Sequence, residues 1–229
     1  MEQNKVASPT AAQIPTHISV FSQVFSKIIC VNKIKTRPLQ KQQIRFIVIS
    51  TYNEISIQMR KASRAMDAAF ALEVLDKAPY VTVSFTRPDG TPYGVPLSLV
   101  RTDEKNFYFH CALEGDKLDC IAANPIVALS AVTRCTPTVG PKDGSFTLQY
   151  KSAMAVGKAE IVNDREEKME ALRAICLRFL PNHMDAFNDA IARSLERTAM
   201  VKITLIAPPT GKRKQYDKQG EEMKWGRTE

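Results

Sequence analysis

The stretch from Phe107 to Asn124 combines side chains that can bind an anion and transfer a proton. Aromatic residues at its start are typical of a strand, and His110 and Cys111 follow where that strand should end. Gly115 can then supply an unusual backbone angle. Apolar residues at helical spacing predict a helix over residues 116 to 123. A strand end, a polar turn and a helix start therefore meet here.

The predicted helix start is suited to a phosphate. Backbone amides of a first helical turn have no partner within the helix and attract anions. Lys117 lies in that turn, where the positive end of the helix dipole disfavours a cation. We therefore predict that Lys117 and the amides bind a phosphate group; the alternative is a solvated surface lysine.

Three stretches of the sequence carry one family pattern. They are GTPYGVPLSLV at 90–100, HCALEGDKLD at 110–119 followed by ANP and IVALSAV, and YKSAMAVGKAEIVND at 150–164. Together they resemble the FMN-binding split-barrel superfamily of pyridoxamine 5'-phosphate oxidases. The chain is most similar there to the nitroimidazole-resistance (Nim-type) flavoproteins, over residues 59 to 212.

The resemblance implies FMN as cofactor and assigns roles to individual residues. Lys117 would hold the phosphate, and Cys111 stands where a hydroxyl residue usually contacts it. His110 would lie beside the flavin or the substrate and could donate a proton, or it simply packs at the strand end. The flavin ring edge would pair with the backbone of one strand segment, which could equally be a core strand: Pro96, Leu97, Ser98, Leu99 and Val100.

A further position near the flavin is Ser152, which Lys151 precedes. Successive residues of a strand face opposite ways, so only one of the two can point toward the site, and we choose Ser152.

Three departures from the family pattern weaken the expected phosphate site. Asp116 replaces a residue that is usually basic, Cys111 replaces a hydroxyl, and Ile126 stands where Arg is frequent. Asp116 would repel a phosphate or pair with Lys117. These departures keep open a protein that binds a flavin nucleotide or haem without turnover, with His110 or His183 as the axial haem ligand.

The surrounding pattern predicts an α+β fold, a six-stranded antiparallel split β-barrel of the FMN-binding type with peripheral helices. No GxGxxG or GxxxxGK[ST] motif supports a Rossmann or P-loop site. Residues 134–145 are rich in Pro and Gly and are expected to form an irregular loop, a candidate lid. The expected helices start at 67, 116, 164 and 185, and the expected strands span 80–86, 93–100, 107–111, 126–132, 146–162 and 199–206.

Charge and length predict three parts. Residues 1–58 hold seven Lys or Arg against two acidic residues, which gives +5 of the net charge of +8. We expect 1–58 to be an extension, disordered and dispensable, or a misassigned start. Residues 59–212 would form the FMN-binding split-barrel domain, and 213–229 a loose polar tail. Charges elsewhere alternate in sign, so nucleic-acid binding is disfavoured.

The composition limits the remaining classes. No apolar run approaches the ~18 residues of a membrane span, so we expect a cytoplasmic protein. The five cysteines show no CxxC spacing, and neither a disulfide framework nor a metal site is indicated. The sequence as a whole predicts a homodimeric FMN-dependent reductase with flavin at the dimer interface and a small (nitro)aromatic electron acceptor.

Overall fold

The structure, a computed structural model, describes residues 60–226. The expectations for residues 1–58 therefore lie outside the described residues. The helices of this region are α1 (Ala68–Lys77), α2 (Asp116–Ala123), α3 (Arg165–Phe179) and α4 (Phe187–Ser194). Its strands are β1 (Ala65–Met66), β2 (Val81–Thr86), β3 (Pro92–Leu97), β4 (Val100–Arg101), β5 (Asn106–Cys111), β6 (Ile126–Val139), β7 (Phe146–Ile161), β8 (Ala199–Leu205) and β9 (Thr210–Lys214).

All nine of these strands form one antiparallel sheet. Seven of them follow the order β3-β2-β6-β7-β8-β5-β4, and β1 and β9 lie off this path. The long strand β7 pairs with β6 along one edge and with both β8 and β9 along the other, and β9 also pairs with β1. The α+β class is confirmed. A closed barrel of six strands is not, because no ladder in the described region joins β3 to β4.

The ends of this strand order are nevertheless neighbours in sequence. Only Ser98 and Leu99 separate β3 from β4. A two-residue connection spans about 10 Å at most, so the sheet has to curve until its two end strands approach each other. This curvature is consistent with a split barrel.

Local sequence signals account for the helix starts. The Asp67 carboxylate accepts a hydrogen bond from the Phe70 amide (2.8 Å) and caps α1, as its position predicts. The Asp164 carboxylate likewise accepts from the Glu167 amide (2.8 Å) and caps α3. Helices α1 and α3 thus begin where the sequence indicates. The helix expected to start at 185 begins at Phe187 as α4 and is short, because 3₁₀ turns over Pro181–Ala186 and Leu195–Arg197 flank it.

The predicted strand over 93–100 is wrong in its second half. β3 pairs with β2 only as far as Leu97, which lies opposite Val81. Val100 and Arg101 then pair with β5 instead. The chain leaves β2 because Leu99 and Val100 are buried, at 1% and 7% exposure, in the hydrophobic interior.

The predicted loop over 134–145 is also wrong. β6 continues to Val139, which pairs with Phe146 at the start of β7, and only a short turn joins them. Pro137 is tolerated because β2 pairs with β6 only over 128–130, so the outer edge of β6 has no partner strand at Pro137. A long β6–β7 arm replaces the proposed lid.

Residues 213–226, the described part of the expected loose tail, are held in place by contacts with the sheet and with each other. β9 runs through Lys214, and Tyr216 forms a bridge with Glu222. The Arg64 guanidinium donates two hydrogen bonds to the Glu222 carboxylate (2.5 and 2.7 Å), and the Arg213 guanidinium stacks 4.0 Å from the Trp225 ring centre. This tail segment therefore packs on the sheet.

Two hydrophobic clusters lie on opposite faces of the sheet. The larger cluster packs α1 and α2 against residues such as Phe107, Phe109 and Ile203. The smaller one packs α3 and α4 against Tyr108 and Met200. Among residues 60–226, no helix has both the length and the apolar character needed to cross a membrane.

Replacing Glu222 with Gln should lower the free energy of unfolding by about 1–2 kcal/mol, because it breaks a charged hydrogen-bond pair with Arg64 that is mostly shielded from water. The control is Glu221→Gln, which removes an exposed pairing with Lys142 and should cost no more than about 0.5 kcal/mol. Chemical denaturation measures both. Equal losses would show that the Arg64–Glu222 pair stabilises the fold no more than an exposed ion pair does.

The loss of stability caused by Glu222→Gln should depend on pH. The Arg64 hydrogen bond lowers the pKa of Glu222 below its ordinary value. A carboxyl whose pKa is lower in the folded state stabilises the fold above its unfolded pKa of ~4.3, and this contribution disappears as the pH falls through the folded pKa. The stability difference between wild type and Glu222→Gln should therefore shrink below pH 4.

Candidate functional site

An open edge between β4 and β5 is the first part of the site. The Thr102 amide donates to the Asn106 carbonyl (3.1 Å), and Val100 pairs with Tyr108. Hydrogen-bonded pairs alternate along an antiparallel ladder, so the next one would join Ser98 to His110. That pair does not form. Within residues 60–226, the backbone groups of Ser98 and Leu99 have no backbone partner.

The backbone of His110 faces the same gap. On its other side, His110 lies opposite Met200, but the Met200 carbonyl accepts from the Val162 amide (2.9 Å) and so points toward β7. His110 and Met200 are thus a non-hydrogen-bonded pair, and the His110 N–H and C=O point toward the β4 side. The structure brings the predicted segments 96–100 and 110–111 together at this edge.

The five residues of the first segment differ in exposure. Pro96 and Ser98 are exposed and Leu97 is half-buried, whereas Leu99 and Val100 are buried. Only the backbone of Leu97 to Leu99 is thus placed to meet a ligand, because the side chains of Leu99 and Val100 belong to the interior.

His110 and Cys111 lie on opposite faces of β5. The Cys111 side chain packs against the larger hydrophobic cluster beside Leu118. His110 is exposed, on the face that carries Tyr108. A single phosphate group therefore cannot readily contact both side chains.

Cys111 and Lys117 are close enough to interact electrostatically. Burial raises the pKa of the Cys111 thiol, and the positive charge of Lys117 partly offsets this effect. The thiol consequently stays protonated at neutral pH. It can donate a weak hydrogen bond toward an anion instead of repelling it as a thiolate.

The start of α2 provides further donors. Gly115 precedes the helix at φ +119° and ψ 171°, and its carbonyl accepts from the amides of Leu118 (2.9 Å) and Asp119 (3.3 Å). The amides of Asp116 and Lys117 have no backbone partner among the described residues. Two free amides therefore lie beside the half-buried Lys117 side chain.

Asp116 does not pair with Lys117. Its carboxylate accepts a hydrogen bond from the Arg87 guanidinium (3.1 Å), which lies in the turn after β2. Arg87 was not among the residues predicted from the sequence. The two positions are 29 residues apart, and no local pattern links a hairpin turn to a distant helix start.

Ser152 lies on β7, three strands away from the segment that ends at Ser98: Pro96 pairs with Thr82, Thr82 with Ser130, and Ser130 with Met154, two residues from Ser152. Ser152 pairs with Val132 of β6 on one side and with Lys212 of β9 on the other. Further along β7, Ile161 pairs with Val201 of β8, and Val201 pairs with Phe109 of β5. A strand advances ~3.3 Å per residue, so Ser152 is about 30 Å along β7 from the level of Phe109.

The surroundings of Ser152 form a concave surface that extends to β2, the strand that pairs with Pro96 and Leu97. Neighbouring Val132 lines a cavity of about 230 Å³ whose other walls come from β2, its N-terminal approach and β6: Pro79, Tyr80, Thr82, Ser130 and Ala131. Lys151 faces the opposite way, toward α1, with its ammonium 6.0 Å from the Phe70 ring centre.

Replacing Gly115 with Ala should destabilise the protein by about 1–3 kcal/mol, because its backbone angles are strained for any residue with a Cβ. No atom lies within 4 Å of the position that a Cβ would occupy, so the cost comes from the backbone alone. Gly94→Ala is the control, since its Cβ would make ordinary contacts at 3.7 and 3.8 Å and its φ is not positive. Denaturant unfolding measures the free energy of unfolding of both variants. A Gly115→Ala protein as stable as the wild type would contradict the idea that the backbone is strained at this helix start.

Sequence and structure comparisons agree on the fold. Among curated proteins, none matches this chain. Solved structures do: a candidate 5-nitroimidazole antibiotic resistance protein from Bacteroides thetaiotaomicron VPI-5482 shares 22% identity over 65% of this chain and 85% of its own, with a TM-score of 0.54. The flavocytochrome Anf3 from Azotobacter vinelandii shares 18% identity over 78% and 88%, with a TM-score of 0.62.

A third solved structure, the FAD and heme binding protein from Mycobacterium smegmatis, shares 20% identity over 68% of this chain and 71% of its own, with a TM-score of 0.54. At these identities the three structures establish the fold alone. A sequence model of the family described as pyridoxamine 5'-phosphate oxidase matches residues 67–211, more than half of the chain. The protein therefore belongs to the pyridoxamine 5'-phosphate oxidase family, as its sequence motifs predict.

Proposed function

We propose that this protein binds FMN and is a flavin-dependent reductase of small aromatic acceptors, including nitroaromatic compounds. The observation that carries the proposal is the open edge at Ser98 and His110, which lies next to the start of α2. Only four residues, 112–115, connect Cys111 to that helix. Backbone donors and acceptors for a planar ring and cationic donors for a phosphate thus come from adjacent segments.

The donors at α2 fit a phosphate. Two free amides, the Lys117 ammonium and the Cys111 thiol all belong to the short segment 111–117, and burial keeps the thiol protonated by raising its pKa. Gly115 leaves the approach to the amides open, because no atom lies within 4 Å of the position where a Cβ would project. Lys117 would thus bind the phosphate.

The unpaired backbone between Leu97 and Leu99 fits the polar edge of a flavin ring. Buried backbone groups require a hydrogen-bond partner, and Leu99 is 1% exposed while its groups have none within residues 60–226. A bound flavin would supply the redox chemistry, and these residues would fix its position. His110, exposed beside the same gap, would face the acceptor and donate a proton to it.

An absorbance spectrum is the first test. Purified protein mixed with FMN and desalted should retain the flavin spectrum, and Lys117→Ala should lose at least tenfold in FMN affinity because a charged hydrogen bond to the phosphate is absent. The control is Lys218→Ala, which removes an exposed lysine from a turn at the other end of the sequence. A wild-type protein that retains no FMN would contradict the proposal.

The same sample tests the acceptor. After anaerobic reduction, a nitroaromatic compound should restore the oxidised flavin spectrum, and His110→Gln should slow this step without releasing FMN. Flavin binding without any reoxidation would favour a non-catalytic role.

The second candidate function is non-catalytic binding of a flavin nucleotide or haem. It is favoured by His110, which is exposed and makes no side-chain hydrogen bond with another described residue, so its imidazole is available to an iron. His183, also exposed, lies in the 3₁₀ segment before α4. Two of the similar structures are a flavocytochrome and a protein that binds FAD and haem. A Soret band on adding haem, absent in His110→Ala, would identify this function.

We further propose a homodimer with the flavin at its interface. Along β7, Ser152 is about 30 Å from the level of Phe109, and in the proposed dimer the second copy would bring its own Ser152 to the flavin. The surface around Ser152 carries exposed apolar side chains that a partner would cover: Tyr80 (58%), Val132 (50%) and Met154 (39%).

Light scattering should give about twice the mass of one 25.6 kDa chain. Val132→Glu should produce monomers and weaken FMN binding, because it places a charge in the proposed interface. Leu177→Glu is the control, since Leu177 is equally exposed (52%) on α3, away from Ser152. A wild-type monomer that holds FMN would overturn this assembly.

A further inference from the structure

The turn between β2 and β3 holds Arg87 in a defined position. The Arg87 amide donates to the Thr91 carbonyl and the Gly90 amide donates to the Arg87 carbonyl, both at 2.8 Å. Its guanidinium lies 4.3 Å from the ring centre of Tyr93. Tyr93 is itself packed against Phe85, with ring centres 6.0 Å apart. A cation held on an aromatic face in this way keeps its position better than a free side chain.

Arg87 reaches the first turn of α2 through Asp116. The two side chains form an ion pair at 3.1 Å, with 36% and 58% of their surfaces exposed. An arginine offers five N–H donors, and one carboxylate oxygen occupies only one of them here. Most of the guanidinium therefore remains available to a second anion at this turn.

The charge balance of the turn requires such a cation. Lys117 shares this short segment with three acidic residues, Glu114, Asp116 and Asp119. Asp89, in the neighbouring turn, already accepts hydrogen bonds from the Thr91 amide (2.9 Å) and hydroxyl (2.7 Å). Lys117 alone could not offset this negative charge for a doubly charged phosphate.

We infer that Arg87 is the second cation of the phosphate site and determines its preference for a phosphorylated ligand. This inference rests on the proposed flavin function. The positive charge absent at position 116 is supplied by the β2–β3 turn, and the Asp116 carboxylate holds the guanidinium beside the α2 amides. A phosphate oxygen accepts hydrogen bonds from the donors that Asp116 leaves free.

Binding of FMN and of riboflavin, which has the same ring without the phosphate, tests this role. Arg87→Ala should weaken FMN binding about tenfold or more and change riboflavin binding by no more than about twofold. Arg87→Lys, which keeps the charge and loses the fork of donors, should give an intermediate FMN affinity. Fluorescence titration at constant ionic strength measures the dissociation constants of the wild type and of each variant for both ligands.

Arg193→Ala is the matched control, because it removes the same charge from an exposed position in the last turn of α4 and should leave both affinities unchanged. Equal weakening of FMN and riboflavin by Arg87→Ala, or no weakening of either, overturns the role of Arg87 while leaving flavin binding intact. If the wild-type protein binds neither ligand, the proposed function itself fails. If Arg87→Ala does not fold, Arg87→Lys is compared with the wild type instead. A ratio of FMN affinity to riboflavin affinity that is the same in both proteins overturns the inference.

Discussion

The fold around the candidate site depends on a change of hydrogen-bonding partner between Leu97 and Val100. β3 belongs to one end of the strand order and β4 to the other, so the chain crosses from one sheet edge to the opposite one within two residues. Ser98 and Leu99 cannot join either ladder during this crossing. Within residues 60–226, their N–H and C=O groups have no backbone partner although Leu99 is buried, and a buried unpaired backbone group is costly. In the proposed function, a bound flavin would supply the missing hydrogen-bond partners.

Strand β7 holds the two halves of the sheet around this crossing. It pairs with three strands, and its Gly157 lies opposite Leu205 of β8, where there is little room for a side chain. A Cβ there would lie 2.4 Å from the Ile203 side chain and 3.1 Å from the Thr204 carbonyl. The glycine of the VGKAE motif is therefore a packing requirement. Ser152 lies about 30 Å along β7 from the level of Phe109, although through β6 and β2 it lies near the level of Ser98.

Signals that act over a few residues could be predicted from the sequence. The capping carboxylates of Asp67 and Asp164 and the strict alternation of β2 are decided by neighbouring residues, and the structure confirms them. The choice of strand partner is not local. No residue pattern in the run from 93 to 100 indicates that Val100 at its end pairs with β5. A residue such as Pro137, which usually interrupts a strand, fits one whose outer edge has no neighbouring strand.

The same distinction holds at the candidate site. The motif at 110–119 identifies a strand end, a glycine turn and a helix start, and these elements form where predicted. The Arg87 contact depends on how a hairpin turn packs against a helix elsewhere in the chain, which the motif does not encode. An acidic residue that looks unfavourable in sequence has acquired a cationic partner in the fold.

The adjacent residues His110 and Cys111 show how strand geometry can divide two tasks. Their side chains point to opposite faces of β5 because consecutive strand residues alternate. Cys111 lies on the side of Lys117, where burial keeps its thiol protonated, and His110 remains exposed on the other side. In the proposed function, anion binding and proton donation to an acceptor would therefore lie on opposite faces of one strand. An imidazole on the Lys117 side would instead pair with the bound anion, whereas the opposite face would leave His110 to act on the acceptor.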